Sequence, residues 1–139
     1  KLKQVPLELV NGMNRNTMME TLGIQCVEIG DDYVISTMPV DHRTHQPMGL
    51  LHGGASAALI ESMGSMGSVL LIDTDKYAPV GLEINVNHVG AVKSGSVRAK
   101  ATVVHAGKRT HVWSVDIRDE ATEKLVCTGR LTVMIIERS

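Results

Sequence analysis

A His-Gly-Gly turn and a carboxylate eight residues beyond its first glycine are the groups of this chain best suited to chemistry. They lie in the run Gln46 to Ser68, QPMGLLHGGASAALIESMGSMGS, where His52-Gly53-Gly54 opens a helix carrying Glu61 among small side chains. The first turn of a helix has N–H groups without intrahelical partners, here those of Gly53, Gly54 and Ala55. The helix dipole adds partial positive charge at the same end. An anion or a developing oxyanion is stabilised there. A lone carboxylate such as Glu61 supplies a general base or a nucleophile. This looks like half of an active site.

The spacing forces a structural inference. Along one helix axis Gly53 and Glu61 are separated by roughly 12 Å, whereas a carboxylate side chain reaches only about 4 to 5 Å. One helix cannot bring both to one carbonyl group. If they cooperate, the helix N-terminus of one subunit meets the Glu61 of another, as two antiparallel helices about a two-fold axis would do twice over. Two identical sites per dimer follow.

The elements that must hold these groups are legible from periodicity. Leu59, Met63, Met66 and Leu70 form an apolar stripe at helical spacing, suited to burial under a sheet. Glu61 lies off that stripe, on a row with Ala57, Gly64, Ser65 and Ser68, small enough for close approach by another backbone or a ligand. The helix is expected over residues 54 to 71, with a short helix over 6 to 20 whose face is Leu7, Val10, Met13 and Thr17. Strands are expected over 24 to 29 and 33 to 38, around the Gly30-Asp31-Asp32 turn, with Pro39 ending the second. After the loop from Asp41 to Leu51 and the helix come strands over 80 to 89, 96 to 106, 110 to 118 and 124 to 137. Two strands, one long helix and four strands with short connections predict an α+β fold, one antiparallel sheet curled around that helix and burying Leu59, Met63 and Met66.

Composition bounds the rest. A chain of 139 residues makes one domain, and residues 1–139 contain no repeat or linker. With a net charge of −1 and scattered basic residues there is no electrostatic footprint for nucleic acid. No apolar run is long enough to span a membrane, and the N-terminal segment has no secretory core, so a cytoplasmic protein is expected. Cys26 and Cys127 fall in apolar strand-like runs and read as buried free thiols. With no Phe, one Trp and eight Met, the core must be aliphatic and thioether-rich, which makes pockets adaptable in shape.

QPMGLLHGGASAALIESMGS, MPVDHRTHQP, VGLEINVNHV and CTGRLTVMI together resemble the hotdog-fold acyl-CoA thioesterases. The branch is the one containing the Arthrobacter-type 4-hydroxybenzoyl-CoA thioesterase, the phenylacetate-pathway proteins and the 1,4-dihydroxy-2-naphthoyl-CoA thioesterase of menaquinone synthesis. The likeness covers almost the whole chain and implies a hotdog fold, an antiparallel sheet wrapped around one long central helix. It implies that Glu61 is the nucleophile or general base and that the Gly53 N–H polarises a thioester carbonyl. Gln46 and His52 would line the carbonyl and thiolate side, and Ser65 would hydrogen-bond Glu61 or the water. Family dimers set Glu61 and Ser65 of one subunit across from Gln46, His52 and Gly53 of the other, and the dimers pair again into a homotetramer. Met48, Gly54 and Met66 would contact the acyl part. The nucleotide end of coenzyme A would run past Gly81, past His88, Val89, Gly90 and Ala91, and past the loop His105, Ala106, Gly107, Lys108, Arg109 and Thr110. Lys108 and Arg109 would serve there as phosphate partners. No cofactor is implied beyond coenzyme A as part of the substrate.

Two departures bear on specificity. Gly90 stands where relatives of this branch carry Arg, and Met48 where an aromatic residue is common. Several other groups have plainer readings. His42 and His45 form a surface pair without third and fourth ligands, so no metal is expected. Asp116, Arg118 and Glu120 alternate as an ordinary wet face. Asn85 and Asn87 are expected to satisfy edge backbone groups. Two rivals use the same fold: a hydratase or dehydratase, whose usual His-Phe-Pro-Gly-type motif is missing, and a non-catalytic acyl-CoA-binding protein.

Overall fold

A computed structural model describes residues 1–139. The elements in chain order are α1 (Leu7–Gly12), α2 (Met18–Leu22), β1 (Gln25–Ile29), β2 (Tyr33–Pro39), α3 (Gly53–Val69), β3 (Tyr77–His88), β4 (Ser96–Ala106), β5 (Thr110–Asp119) and β6 (Leu125–Glu137). All six strands join one antiparallel sheet in the order β1-β2-β4-β5-β6-β3. The long helix and every expected strand are present, with ends shifted by at most three residues.

The single expected N-terminal helix is two. Asn16 takes a left-handed φ of 62° and Thr17 is extended, so the chain breaks between Gly12 and Met18. The spacing of Leu7, Val10, Met13 and Thr17 suits a helix, but an Asn that tolerates the left-handed region makes a turn there instead. Gly23, at φ 75°, closes α2.

Alternation sorts each strand into a face against α3 and a face away from it. On β5 the buried residues are His111, Trp113, Val115 and Ile117, while Asp116 and Arg118 stand in solvent, the wet face expected of them. The core cluster joins Trp113, Val115, Ile117, Leu131 and Val133 of the sheet to Leu59, Ile60 and Met63 of the helix. Each such side chain contributes about 1.5–3 kcal/mol on burial. Met66, expected under the sheet with them, is only half-buried and faces outward into a groove.

The row of small residues expected around Glu61 splits between two faces. Gly64 and Ser68 turn to the sheet, where a Cβ on Gly64 would meet the Leu131 side chain at 2.4 Å. Ser68 is buried beneath the helix, its Oγ 2.8 Å from His111 Nδ1 and 2.9 Å from Trp113 Nε1. Glu61 and Ser65 face away from the sheet, toward the groove. The row was read at too coarse an angular resolution, since residues three apart on a helix differ by about 60° in direction.

At the far edge of the sheet, β3 has β6 on one side and nothing on the other. Asn85 and Asn87 are exposed there, and their side chains make no hydrogen bond within the chain, contrary to the expected edge-capping role. Cys26 and Cys127 are both free and buried, as expected. Burial pushes the Cys127 thiol up to about 11, with the nearby Asp116 charge adding to it. Burial also raises that of Cys26. Neither is a thiolate nucleophile at neutral pH.

Candidate active site

Between α1, α2, β1 and the outer face of α3 lies an open groove of about 620 Å³. Val10, Met13, Met18, Met19, Ile24, Met63 and Met66 give it apolar walls, and Cys26 and Ser36 lie on the side of the first two strands. Glu61 is its one carboxylate, with Ser65 one turn along. Glu61 is exposed, in no salt bridge and in no hydrogen bond. It has none to Ser65, which the resemblance pairs with Glu61 or with the water. Its carboxylate leans over β3 at Gly81, where an added Cβ would sit 2.5 Å from Oε2. A side chain at Gly81 would displace the carboxylate from this position.

The helix N-terminus is more selective than expected. Of its three N–H groups, that of Gly54 donates to His52 Nδ1 at 2.7 Å and that of Ala55 to the His52 carbonyl at 3.0 Å. Gly53 alone keeps a free N–H. Because His52 Nδ1 accepts, the ring proton sits on Nε2, which stays available to donate. His52 therefore caps the helix and also presents one donor beside the free N–H.

Gln46 organises the approach to this turn. Its Oε1 accepts from the N–H of Met48 at 2.5 Å and of Leu50 at 3.3 Å, so its amide NH₂ is the end left free. Thr44 Oγ1 donates to the Pro39 carbonyl at 2.8 Å, and the ring of His45 bonds the Lys93 carbonyl at 2.8 Å. His42 stands 4.0 Å from Asp41. These contacts fix the loop before α3. Met48, expected in the acyl pocket, is 77% exposed on the Gln46–Gly49 turn and lies outside the groove of its own chain.

Gly53 and Glu61 stand on one continuous helix, eight residues apart, so the separation of roughly 12 Å read from the sequence holds within the chain. The residues implied for the nucleotide are divided as well. His88 pairs with Cys127 of β6 and Thr110 with Met134. Seven strand residues, roughly 23 Å, therefore separate the His88–Ala91 end from the tip of the β4–β5 hairpin. At the first end the His88 ring lies against Gly53, where a Cβ would meet Nε2 at 2.8 Å. At the second the Gly107 N–H donates to the Thr110 carbonyl at 2.9 Å, and Lys108 and Arg109 are exposed and unpaired.

Gly90 is tightly held. Its N–H donates to the Val126 carbonyl at 3.0 Å, and a Cβ would stand 2.6 Å from the Leu125 carbonyl oxygen. A side chain here collides with backbone, which cannot swing aside. Gly90→Arg is expected to lower stability by about 1–3 kcal/mol, the usual cost of overpacking. It is also expected to leave the KM of a coenzyme A thioester no better than that of the parent, as melting curves and initial rates would show.

The groove walls are what sequence reasoning missed. Val10, Met13, Asn14, Met18, Met19 and Ile24 belong to α1, α2 and their junctions. The one available signal was the crowding of Met13, Met18 and Met19, since thioethers suit adaptable binding surfaces.

The thioesterase superfamily model matches residues 48–126, spanning the helix N-terminus, Glu61 and the hairpin tip. The 1,4-dihydroxy-2-naphthoyl-CoA hydrolase of Escherichia coli is 45% identical over 134 residues, covering 96% of this chain and 97% of that one. The proofreading thioesterase EntH of Cronobacter sakazakii is 45% identical over 134 residues, 96% of each chain. A crystal structure of mutant thioesterase PA1618 from Pseudomonas aeruginosa superposes with a TM-score of 0.95 at 43% identity, covering 99% of both chains. With this match in sequence and in fold, the chain belongs to the thioesterase superfamily, has the hotdog fold and is a thioester hydrolase.

Proposed function

We propose that the protein hydrolyses acyl-CoA thioesters, favouring aromatic or bulky acyl groups, in sites shared across a two-fold dimer. One observation carries the reading: an apolar groove of about 620 Å³ whose single carboxylate, Glu61, has no partner within its own chain. An exposed carboxylate without a partner, standing at an apolar groove, is free to act on a group bound there. The similarity to the 1,4-dihydroxy-2-naphthoyl-CoA hydrolase of Escherichia coli supports a thioester of coenzyme A with a fused aromatic acyl group.

The dimer follows from the free edge of β3. A twelve-residue strand with an open edge invites pairing. In this chain Glu61 lies at Gly81 and Gly53 lies at His88. Antiparallel pairing of two β3 strands about an axis near Ile84 and Asn85, midway between those positions, would bring the partner's His88 alongside Gly81. The free N–H of Gly53 of the partner subunit would then face Glu61. The same operation would set the partner's His88–Ala91 segment beside the hairpin tip of this chain, uniting the two nucleotide-binding segments that one chain keeps apart. Met48 of the partner subunit would arrive with them.

In the reaction the thioester carbonyl oxygen takes the Gly53 N–H as its hydrogen-bond donor, and charge that develops on it is stabilised by the helix N-terminus. Glu61 either attacks the carbonyl carbon, giving a mixed anhydride and expelling the coenzyme A thiolate, or removes a proton from the attacking water. In the first case water then cleaves the anhydride and frees the carboxylic acid and Glu61. His52 Nε2–H and the Gln46 amide are donors for the sulfur or the water. Free-thiol release from a panel of aroyl-, aryl- and fatty acyl-CoAs tests this. Release is expected with kcat/KM highest for the aromatic members. Palmitoyl-CoA turned over about tenfold faster, a difference of 1.4 kcal/mol in barrier, would overturn the acyl preference, and no thiol from any member would overturn the hydrolysis of acyl-CoA.

A further inference from the structure

We propose that His111 is a positioning residue that couples docking of the nucleotide at the β4–β5 tip to the helix presenting Glu61 and Ser65. The inference rests on the reading that coenzyme A reaches Lys108 and Arg109. Ser68 stands on α3 seven residues beyond Glu61 and three beyond Ser65, fully buried against the sheet. Trp113 Nε1–H can only donate, so Ser68 Oγ accepts it at 2.9 Å, and the same oxygen shares a hydrogen bond with His111 Nδ1 at 2.8 Å. His111 is itself the second residue of β5 and pairs with Ala106 across the hairpin, directly beneath the tip. The base of the hairpin is thus tied through the His111 side chain to Ser68 of the active-site helix.

Nothing in the packing requires a histidine here. The other inward residues of β5 are Trp113, Val115 and Ile117, and an apolar side chain at position 111 would fill the space without the cost of burying a polar ring. That cost shows in the imidazole itself, whose pKa burial lowers, with His105 acting in the same direction and the Gly107 backbone opposing both. What a histidine adds is direction. The van der Waals contacts of Gly64 on Leu131 and Gly67 on Trp113 resist separation of helix and sheet but are tolerant of small slides, whereas a hydrogen bond is not. A stiff helix carries a shift at Ser68 to Glu61, roughly 10 Å away. Binding energy from the remote nucleotide then serves the reacting centre, so a truncated substrate loses kcat as well as affinity.

The test compares a coenzyme A thioester with the N-acetylcysteamine thioester of the same acyl group, which has no nucleotide. His111→Leu is expected to lower kcat on the coenzyme A ester by about tenfold, within the usual range of coupling between sites, and to leave the truncated ester within about twofold. His111→Gln keeps a polar partner for the Ser68 hydroxyl, and is expected to restore most of the difference. Ser68→Ala cuts the same tie from the helix side with little change in volume, and is expected to repeat the His111→Leu pattern should that variant fold poorly. Equal losses on both esters, or none on either, would overturn the coupling. A Lys108→Ala, Arg109→Ala double variant separates this from failure of the underlying reading. If it raises KM for the coenzyme A ester alone while His111 and Ser68 variants act on both esters alike, the nucleotide site stands and the coupling falls. If it changes neither ester, the nucleotide does not dock at the tip and both fall.

Discussion

Glu61→Ala is expected to lower kcat by about 10² to 10⁴ while leaving the protein folded, because general-base or nucleophilic catalysis is worth that much. The fold is spared for a structural reason. Glu61 is exposed and holds no partner in its chain, so truncation leaves no orphaned donor behind and its effect on stability stays within about 0.5 kcal/mol. Affinity for the nucleotide end changes little, since Lys108 and Arg109 lie at the hairpin tip. Glu61→Asp draws the carboxylate back by one methylene from its place over Gly81 and is expected to lose about a hundredfold. Stopped-turnover rates on purified, folded variants decide the matter. An alanine variant keeping more than about a tenth of the parent kcat would mean a loss below 1.4 kcal/mol and would overturn the assigned chemistry.

The second large effect is expected at Gly53, whose N–H alone is free at the start of α3. Gly53→Pro removes that hydrogen and suits the first helical position, where proline is tolerated. The atoms nearest an added Cβ belong to the end of the His88 side chain, which can move. Losing one oxyanion donor is expected to cost about 10² to 10³ in kcat. Mixing this variant with Glu61→Ala then tests where the two groups meet. If each site takes Glu61 from one subunit and Gly53 from the other, a mixed dimer contains one doubly impaired site and one intact site. Random reassortment of equal amounts yields half mixed dimers, and recovery of about a quarter of parental activity is expected. Sites built within single chains would recover nothing, and that result would overturn the shared-site reading.

The sequence by itself determined the secondary elements and singled out Gly53 and Glu61, because both depend on local rules, while its resemblance pointed to the family. Alternation over β5, the helical stripe of Leu59 and Met63, and the turn at Gly30 are all set by neighbours within a few residues. The distance between Gly53 and Glu61 follows from helix rise alone, so it could be read before any fold was known that one helix cannot bring both to one carbonyl group. Other features depended on which surfaces meet. The tertiary structure decided that Gly64 and Ser68 leave the Glu61 face for the sheet, and that the His52 side chain and backbone take two of the three N–H groups. It decided that Met48 stands outside the groove while α1 and α2 wall it. It also parted His88–Ala91 from His105–Thr110, segments whose closeness or separation depends on strand order, which periodicity does not encode. Local propensity fixes what each segment is, but strand order and burial are settled by long-range packing, which is summed over the whole chain and so cannot be read from any one stretch of it.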